Sequence, residues 1–330
     1  MRVLVTGING FVGSHFAEYA LAKGAEVHGS WWRGGTENID HLAGRLVLTE
    51  CDVRDQRSVE RLVERTRADF VIHLAAQSFV GVSWKEPANT LVTNTLGQVN
   101  LLEAVRAHVP PPRVLVIGSA DEYGWVSEED LPLTEAAPLR PLSPYAVSKV
   151  TQDLLGYQYF KSYGLPIVRA RAFNHEGPRR GEVFMTSGFA RQIAEMEAGV
   201  QEPVLRVGNL TARRDYTDVR DVVRGYWLLL ERGESGEVYN LCSGRAWSTR
   251  AVVEFLVAEA RVTRIEVREE RERFRPADVP VIVGDGTKIR KAVGWEPEIA
   301  FEQTLRDTLA YWRQRVGTGR TPAARTEPLT

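Results

Sequence analysis

Tyr145 and Lys149 stand four residues apart in PLSPYAVSKV, a spacing that puts a phenol and an ammonium on one face of a helix. A positive charge there favours tyrosinate and draws the phenol from about 10 toward neutrality, so that it can exchange a proton with a hydroxyl or a carbonyl oxygen. Ser119, in GSADEYG, follows the apolar run Val114–Ile117 and so stands at the carboxyl end of a strand. Open α/β sheets place their ligand chemistry at those ends. The Ser119 hydroxyl can hydrogen-bond the oxygen that Tyr145 protonates, while Lys149 tunes the phenol. Two carboxylates in the same stretch, Asp121 and Glu122, are possible acid/base groups for an elimination, or bystanders in a site that only moves hydride.

A phenol, an ammonium and a hydroxyl need a partner to oxidise or reduce, and the N-terminus offers one. In VLVTGINGFVG, Gly7, Gly10 and Gly13 fall between the first strand and the first helix. Without Cβ atoms there, the chain can turn tightly and a pyrophosphate can approach the helix N-terminus. A bound nicotinamide, when oxidised, adds to the pull on the phenol. NAD and NADP are told apart where the second strand ends, here VHGSWWRGG. That tip has no carboxylate for ribose hydroxyls, and Arg33 can face a 2′-phosphate, so NADP(H) is favoured; NAD(H) remains possible if Arg33 is merely a solvated loop residue. Asp52, in ECDVRD, stands either near the adenine edge or as a turn or helix N-cap.

These groups require a doubly wound framework. Arg2–Thr6, Ala25–Ser30, Leu46–Leu48, Phe70–Leu74, Arg113–Ile117 and Ile167–Ala172 read as strands, and Phe11–Ala22, Ser58–Arg67 and Thr95–Ala107 as amphipathic helices between them. Such alternation predicts an α/β fold, a Rossmann doubly wound parallel sheet with a smaller C-terminal substrate-binding cap domain. The expected division is 1–173 for the dinucleotide-binding part, with 215–243 returning to it. Residues 174–214 and 244–316 form the cap, with helices at Thr186–Ala198 and Val219–Leu230 in this half, and 317–330 are a disordered tail.

The 43% hydrophobic content supplies the core of a soluble protein, while a net charge of −1 argues against a nucleic-acid or membrane surface. Cys51 and Cys242 lack metal-type spacing, so no metal is expected and both thiols read as structural. The short apolar run after Met1 is neither signal peptide nor membrane span, which points to the cytoplasm. His73 reads as packing, His175 as a hydrogen-bonded structural residue before a proton donor, and Arg179, Arg180 and Arg213 as surface residues as readily as ligands.

In that order these residues resemble the extended short-chain dehydrogenase/reductase superfamily, which acts mainly on nucleotide-linked sugars, from residue 1 to about 315. LAAQSFVG, AFNHEGP, RVGNLTARRDYTDVRDVV, YNLCSG and RPADVPVIVGDGTKIRKAVGWEPEI are similar to the GDP-mannose 4,6-dehydratase and GDP-4-keto-6-deoxymannose reductase group. NHEGPRRGE leans to the dehydratases and the TDVRDVV, YNLCSG and ADVPVIVGD runs to the reductases. The resemblance implies a cofactor site that adds Asn9, Phe11, Val53, Leu74, Ala75 and Ala76. It implies substrate contacts from Gln77, Ser78, Asp121 and Asn174, with Arg214 and Arg275 on a diphosphate and Asp278 near a ribose. It also suggests a homodimer through the helical stretches Gly97–Ala107 and Val147–Tyr163.

Elimination needs an acid and a base beyond the tyrosine. The resembling dehydratases carry a polar residue and then Glu after the active-site hydroxyl, where this chain has Ala120 and Asp121. A methyl donates no proton, Asp falls about 1.5 Å short of Glu, and Glu122 points to the other side if the segment stays extended. The expectation is therefore reduction of a GDP-linked 4-keto-6-deoxyhexose, GDP-4-dehydro-6-deoxy-D-mannose to GDP-D-rhamnose. The alternatives are GDP-mannose 4,6-dehydration, another epimerase or dehydratase activity of this superfamily, or a catalytically silent nucleotide-binding protein.

Overall fold

Short β-branched runs become a seven-stranded, all-parallel sheet in the computed structural model, which describes residues 1–274 and 279–319. Its strands are β1 (Arg2–Thr6), β2 (Glu26–Trp31), β3 (Leu46–Glu50), β4 (Phe70–His73), β5 (Arg113–Ser119) and β6 (Ile167–Ala172), joined by β10 (Val238–Leu241) from later in the chain. The order is β3-β2-β1-β4-β5-β6-β10, the doubly wound arrangement expected. Between them run helices α1 (Phe11–Ala22), α2 (Gln56–Thr66), α3 (Val80–Lys85), α4 (Pro87–Leu91), α5 (Gly97–Arg106) and α6 (Pro144–Tyr163). The second half adds α7 (Met185–Glu197), α8 (Val219–Arg232), α9 (Thr249–Ala258), α10 (Thr287–Val293) and α11 (Phe301–Gly317).

Parallel strands covered on both faces need apolar residues on both faces. One face packs Phe16 of α1 with Val222 and Trp227 of α8; the other packs Leu62 of α2, Leu102 of α5 and Tyr159 of α6. The helix expected at Thr95–Ala107 is the end of a longer helical run from Pro87, in which Val92–Leu96 is π-helical. That wider turn places Asn94 against the backbone of Gln77 and the Ser148 hydroxyl.

The smaller lobe is organised around β9 (Arg213–Asp218). β7 (Asn174–Glu176), β11 (Ala246–Ser248) and β13 (Val281–Ile282) pair with it, and β8 (Val204–Val207) pairs with β12 (Glu266–Glu269). Helices α7, α9 and α11 enclose a separate core that includes Ile193, Leu256, Leu309 and Trp312. Because β9 lies in this sheet, the chain crosses back to the large one at Val219 rather than at Asp215. Helix α11 carries regular structure to Gly317, the residue at which the tail is expected to begin, and residues 320–330 lie outside the described residues.

Three aspartates explain much of the motif content here. Asp215 accepts the Ser243 N–H and hydroxyl at 2.7 and 2.6 Å and the Gly244 and Gly284 N–H groups, tying YNLCSG and VGD to β9. Asp218 caps α8 and accepts from Arg220 and Thr304. Asp221 accepts the N–H groups of Glu298 and Ile299 at 3.0 and 2.9 Å, fixing the GWEPEI turn on α8. Asp221→Ala leaves those amides without acceptors at about 1–3 kcal/mol, so thermal unfolding should shift down by a few degrees; an unchanged Tm would show that the turn holds itself.

Candidate active site

At the reversal of strand order, between the carboxyl ends of β1 and β4, the crossovers diverge and a cleft of about 2020 Å³ opens. The N-terminus of α1 enters it: Gly10 caps the helix without a side-chain bond, and the first turn holds no acid, leaving its N–H groups open to an anion. A Cβ on Gly13 would come 2.4 Å from the Gly7 carbonyl oxygen, and Gly7 has φ +69° beside the Ala75 amide. The cradle therefore fits a dinucleotide pyrophosphate, and Phe11, Val53, Leu74, Ala75 and Ala76 line the same cleft. Thr6 Oγ1 accepts the Leu74 and Ala75 N–H groups at 3.1 Å and meets His73 Nδ1 at 2.8 Å. Burial, then Lys149, pushes His73 down to about 3, so it is a neutral packing group.

Asn9 holds the loop after β2 through the carbonyls of Arg33 and Gly35, at 3.3 and 3.1 Å. Arg33 is in the left-handed region, its guanidinium 5.6 Å from the Trp32 ring, and both border the cleft. The tip lacks a carboxylate, but Glu37 folds back over Gly35 into the same mouth, a feature the linear reading did not contain. Asp52 lines the cleft and accepts from Arg54 at N, Nε and Nη2; the cap of α2 is Asp55 instead.

Ser119, Tyr145 and Lys149 converge on one wall. Ser143 caps α6 with Pro144 at its first position, which sets Tyr145 in the first turn and Lys149 one turn on. Lys149 donates to the Ile117 carbonyl at 2.9 Å, its Nζ 5.9 Å from the Tyr145 ring centroid. Burial brings the Lys149 ammonium down to about 8 against the support of Glu122. Contrary to the expectation of an acidified phenol, Tyr145 is pushed above its ordinary value: burial and the Asp121 carboxylate outweigh the Ser119 hydrogen bond and the Arg180 charge.

GSADEYG is not extended past the serine. Ser119 caps a 3-10 turn over Ala120–Glu122, its Oγ accepting the Asp121 N–H at 3.1 Å. The turn carries Glu122 away from the cleft, fully buried, with Oε1 accepting the Ser119 N–H at 2.7 Å. As an acid/base group Glu122 is thus corrected to a capping residue. Ala120 is also turned inward, against Tyr123 and Phe173, so its missing hydroxyl has no bearing on the cleft. Of the stretch, Gly118, Ser119 and Asp121 border the cleft, and Asp121 is its one carboxylate there.

On the substrate side, Asn174 heads β7 opposite Tyr216, and Ser78 stands exposed on the rim. Arg214, on β9, donates to the Val279 carbonyl at 2.7 Å and borders a narrow pocket with Trp84, Asp121 and Ser143. Gln77 lines the wall, but its Nε2 is bonded to Phe79 O and Thr90 and its Oε1 is buried, so its amide serves the loop rather than a ligand. Arg275 and Asp278 lie outside the described residues. Arg179 pairs with Glu18 at 2.7 Å and with His15, and so is structural. Arg180, unresolved from the linear order, lies between the Phe11 and Phe184 rings, 5.0 and 3.6 Å from their centroids, and 3.7 Å from Glu176. Its signal was NHEGPRRGE itself, an arginine pair closely followed by an aromatic. His175 donates Nδ1–H to the Phe173 carbonyl and stacks on Phe11; burial and then Arg180 lower it to about 4, so the ring is uncharged at neutral pH and its one N–H is taken by the backbone. Among the described residues no group of three or more metal donors occurs.

The family model for GDP-mannose 4,6 dehydratase matches residues 4–308. The chain belongs to that family. Within it, the chain is 38% identical over 315 residues to the GDP-6-deoxy-D-mannose reductase of Pseudomonas aeruginosa, covering 96% of this chain and 98% of the relative. It is 31% identical to the GDP-mannose 4,6-dehydratase of Vibrio cholerae, covering 92% and 91%. The solved structure of RMD from Pseudomonas aeruginosa complexed with NADPH superposes with a TM-score of 0.83 at 36% identity, over 95% of this chain and 99% of that one. The relatives carry two named activities, so the side chains at the cleft wall have to decide between them. Tyr145→Phe should lower turnover about 100-fold or more, the lower range for positioned proton transfer, with dinucleotide affinity little changed; unaltered turnover would remove the phenol from the chemistry.

Proposed function

We propose that the protein reduces a GDP-linked 4-keto-6-deoxyhexose, GDP-4-dehydro-6-deoxy-D-mannose to GDP-D-rhamnose, with NADPH preferred to NADH. The observation carrying this reading is the wall around Tyr145. Asp121 is the one carboxylate of GSADEYG at the cleft, and burial together with that carboxylate strengthens the phenol's hold on its proton. A protonated phenol suits a reduction, which begins with a carbonyl oxygen gaining negative charge. A dehydratase cycle opens by taking a proton from a hydroxyl, for which this phenol is poorly prepared. A reduced dinucleotide held at Gly7, Gly10 and Gly13 would supply the hydride. Tyr145 gives its proton to the developing alkoxide, Ser119 donates a hydrogen bond to the same oxygen, and Lys149 stands ready beside the phenol.

Asn174, Ser78 and Arg214 hold the nucleotide sugar, with Arg275 and Asp278 assigned to the diphosphate and ribose on family resemblance alone. Arg33 at the β2 tip favours a 2′-phosphate, while the Glu37 carboxylate in the same mouth leaves NADH as a weaker donor. Dehydration of GDP-mannose is the second reading, favoured by the carboxylate of Asp121 at the cleft and by NHEGPRRGE. No helix among the described residues is long and apolar enough to cross a membrane, and a cytoplasmic enzyme is consistent with that.

We further propose a homodimer. Leu91, Val92 and Leu96 on the 87–106 helical run and Val147, Leu154 and Tyr157 on α6 are exposed apolar residues at helical spacing. Covering such a face with its twin in a four-helix bundle removes it from water. Leu154→Glu should yield a monomer in sedimentation; a dimer of unchanged strength would exclude this face.

For the reaction, purified protein should consume NADPH with the keto sugar at about 1 s⁻¹ or faster. With NADP and GDP-mannose it should form no 4-keto-6-deoxy product. Dehydration at a comparable rate would instead make Asp121 the elimination base, and inertness toward both sugars would overturn the GDP assignment.

A further inference from the structure

Behind the catalytic wall lies a set of charges that the proposed reaction does not use. Asp153 follows Tyr145 and Lys149 along α6 at four-residue steps, so the three share a face. Its carboxylate accepts from Arg169 Nη1 at 2.9 Å and from Arg171 Nη2 and Nε at 2.5 and 3.1 Å. Arg171 Nε lies 3.3 Å from Glu122 Oε2, whose partner oxygen accepts the Ser119 N–H. Glu122, Arg171 and Asp153 are all buried, at 0, 5 and 1% exposure. Gly118 completes the fit, since a Cβ there would meet Glu122 Oε1 at 2.3 Å.

We infer that Glu122 is a positioning residue: through Arg171 and Asp153 it locks the Ser119 backbone to the helix that carries Tyr145 and Lys149. The inference rests on the reading of Ser119 as the group that supports the reacting oxygen. A serine at a strand end could swing with its loop. Here its N–H is held by a carboxylate that is itself anchored to the catalytic helix, so hydroxyl and phenol keep one spacing. A capping box accounts for the Ser119 Oγ bond and for the Glu122 oxygen on the Ser119 N–H, but not for the second Glu122 oxygen, which faces Arg171 Nε at 3.3 Å.

The test measures NADPH oxidation with the keto sugar in S119A, E122D, E122Q, S119A/E122D and S119A/E122Q. Aspartate keeps the charge toward Arg171 but retreats from the Ser119 amide, so kcat should fall about 10-fold or more, as loss of sub-ångström placement does. Both KM values should stay within about twofold, because substrate contacts are untouched. Glutamine keeps an oxygen for the Ser119 amide but turns its NH2 toward Arg171, so it preserves the cap while breaking the link to the helix, and kcat should fall as for E122D with both KM values little changed. In the S119A background neither E122D nor E122Q should cost anything further, since a residue acting through Ser119 has no effect once its hydroxyl is gone. Equal losses with and without the hydroxyl, an unaffected E122D, or an E122Q that retains full kcat would each overturn the inference. If S119A itself retains full kcat, the reading of the site fails instead. Should E122D not fold, E122Q alone, in the parent and in the S119A background, carries the test with the same readouts.

Discussion

One carboxylate on the catalytic helix, Asp153, has to answer two arginines in the middle of the central sheet. Arg169 and Arg171 alternate along β6 toward the same face, and either left unpaired would be an uncompensated buried charge, a loss of several kcal/mol. The pairing sets the height and rotation of α6 over the sheet. Everything chemical on that helix inherits its position: Tyr145 and Lys149 lie on the two preceding turns of the same face. The network continues past Arg171 to the Tyr123 hydroxyl, 3.2 Å away, and from there to Asn240 on β10, whose amide donates to the Leu133 carbonyl. Helix, strand end and lobe boundary are therefore registered by one set of buried polar contacts.

The same neighbourhood gives the wall its acid–base character. Lys149 loses some of its hold on a proton to burial, and the phenol in front of it gains one from burial and Asp121. A positive nicotinamide would oppose that gain, whereas a neutral reduced one would leave it intact. Protonated tyrosine and reduced dinucleotide are thus mutually consistent, and they describe an enzyme poised to reduce.

Much of this was legible in the chain. β1, β6 and α1 were read to the residue because Gly7, Phe173 and Lys23–Gly24 punctuate their ends, and the glycine spacing at 7, 10 and 13 carried its steric meaning directly. The Tyr–Lys step and the strand-end serine came together as expected. Two expectations failed at the wall: burial and Asp121 raise the Tyr145 phenol instead of acidifying it, and the serine at the strand end begins a tight turn. Capping turns Ala120 and Glu122 inward together, so the methyl that the family comparison weighed against elimination does not face the cleft, and Glu122 leaves it by a turn instead of by strand alternation. Glu37 was missed because only the fold of its loop returns it to the strand tip. Arg171 gave a signal that went unused: an Arg-Ala-Arg alternation in a strand buried on both sides demands a partner across the sheet.

The central claim is the protonation state of Tyr145 in the working complex, and a spectroscopic titration reads it most directly. Tyrosinate absorbance measured against pH on the NADPH complex, with the same titration of Tyr145→Phe subtracted, isolates this phenol from the other tyrosines. The account predicts no Tyr145-dependent tyrosinate until the pH passes the ordinary tyrosine value of about 10. Tyrosinate assigned to Tyr145 at neutral pH in that complex would contradict it, and would make the residue a base rather than the proton donor of a reduction.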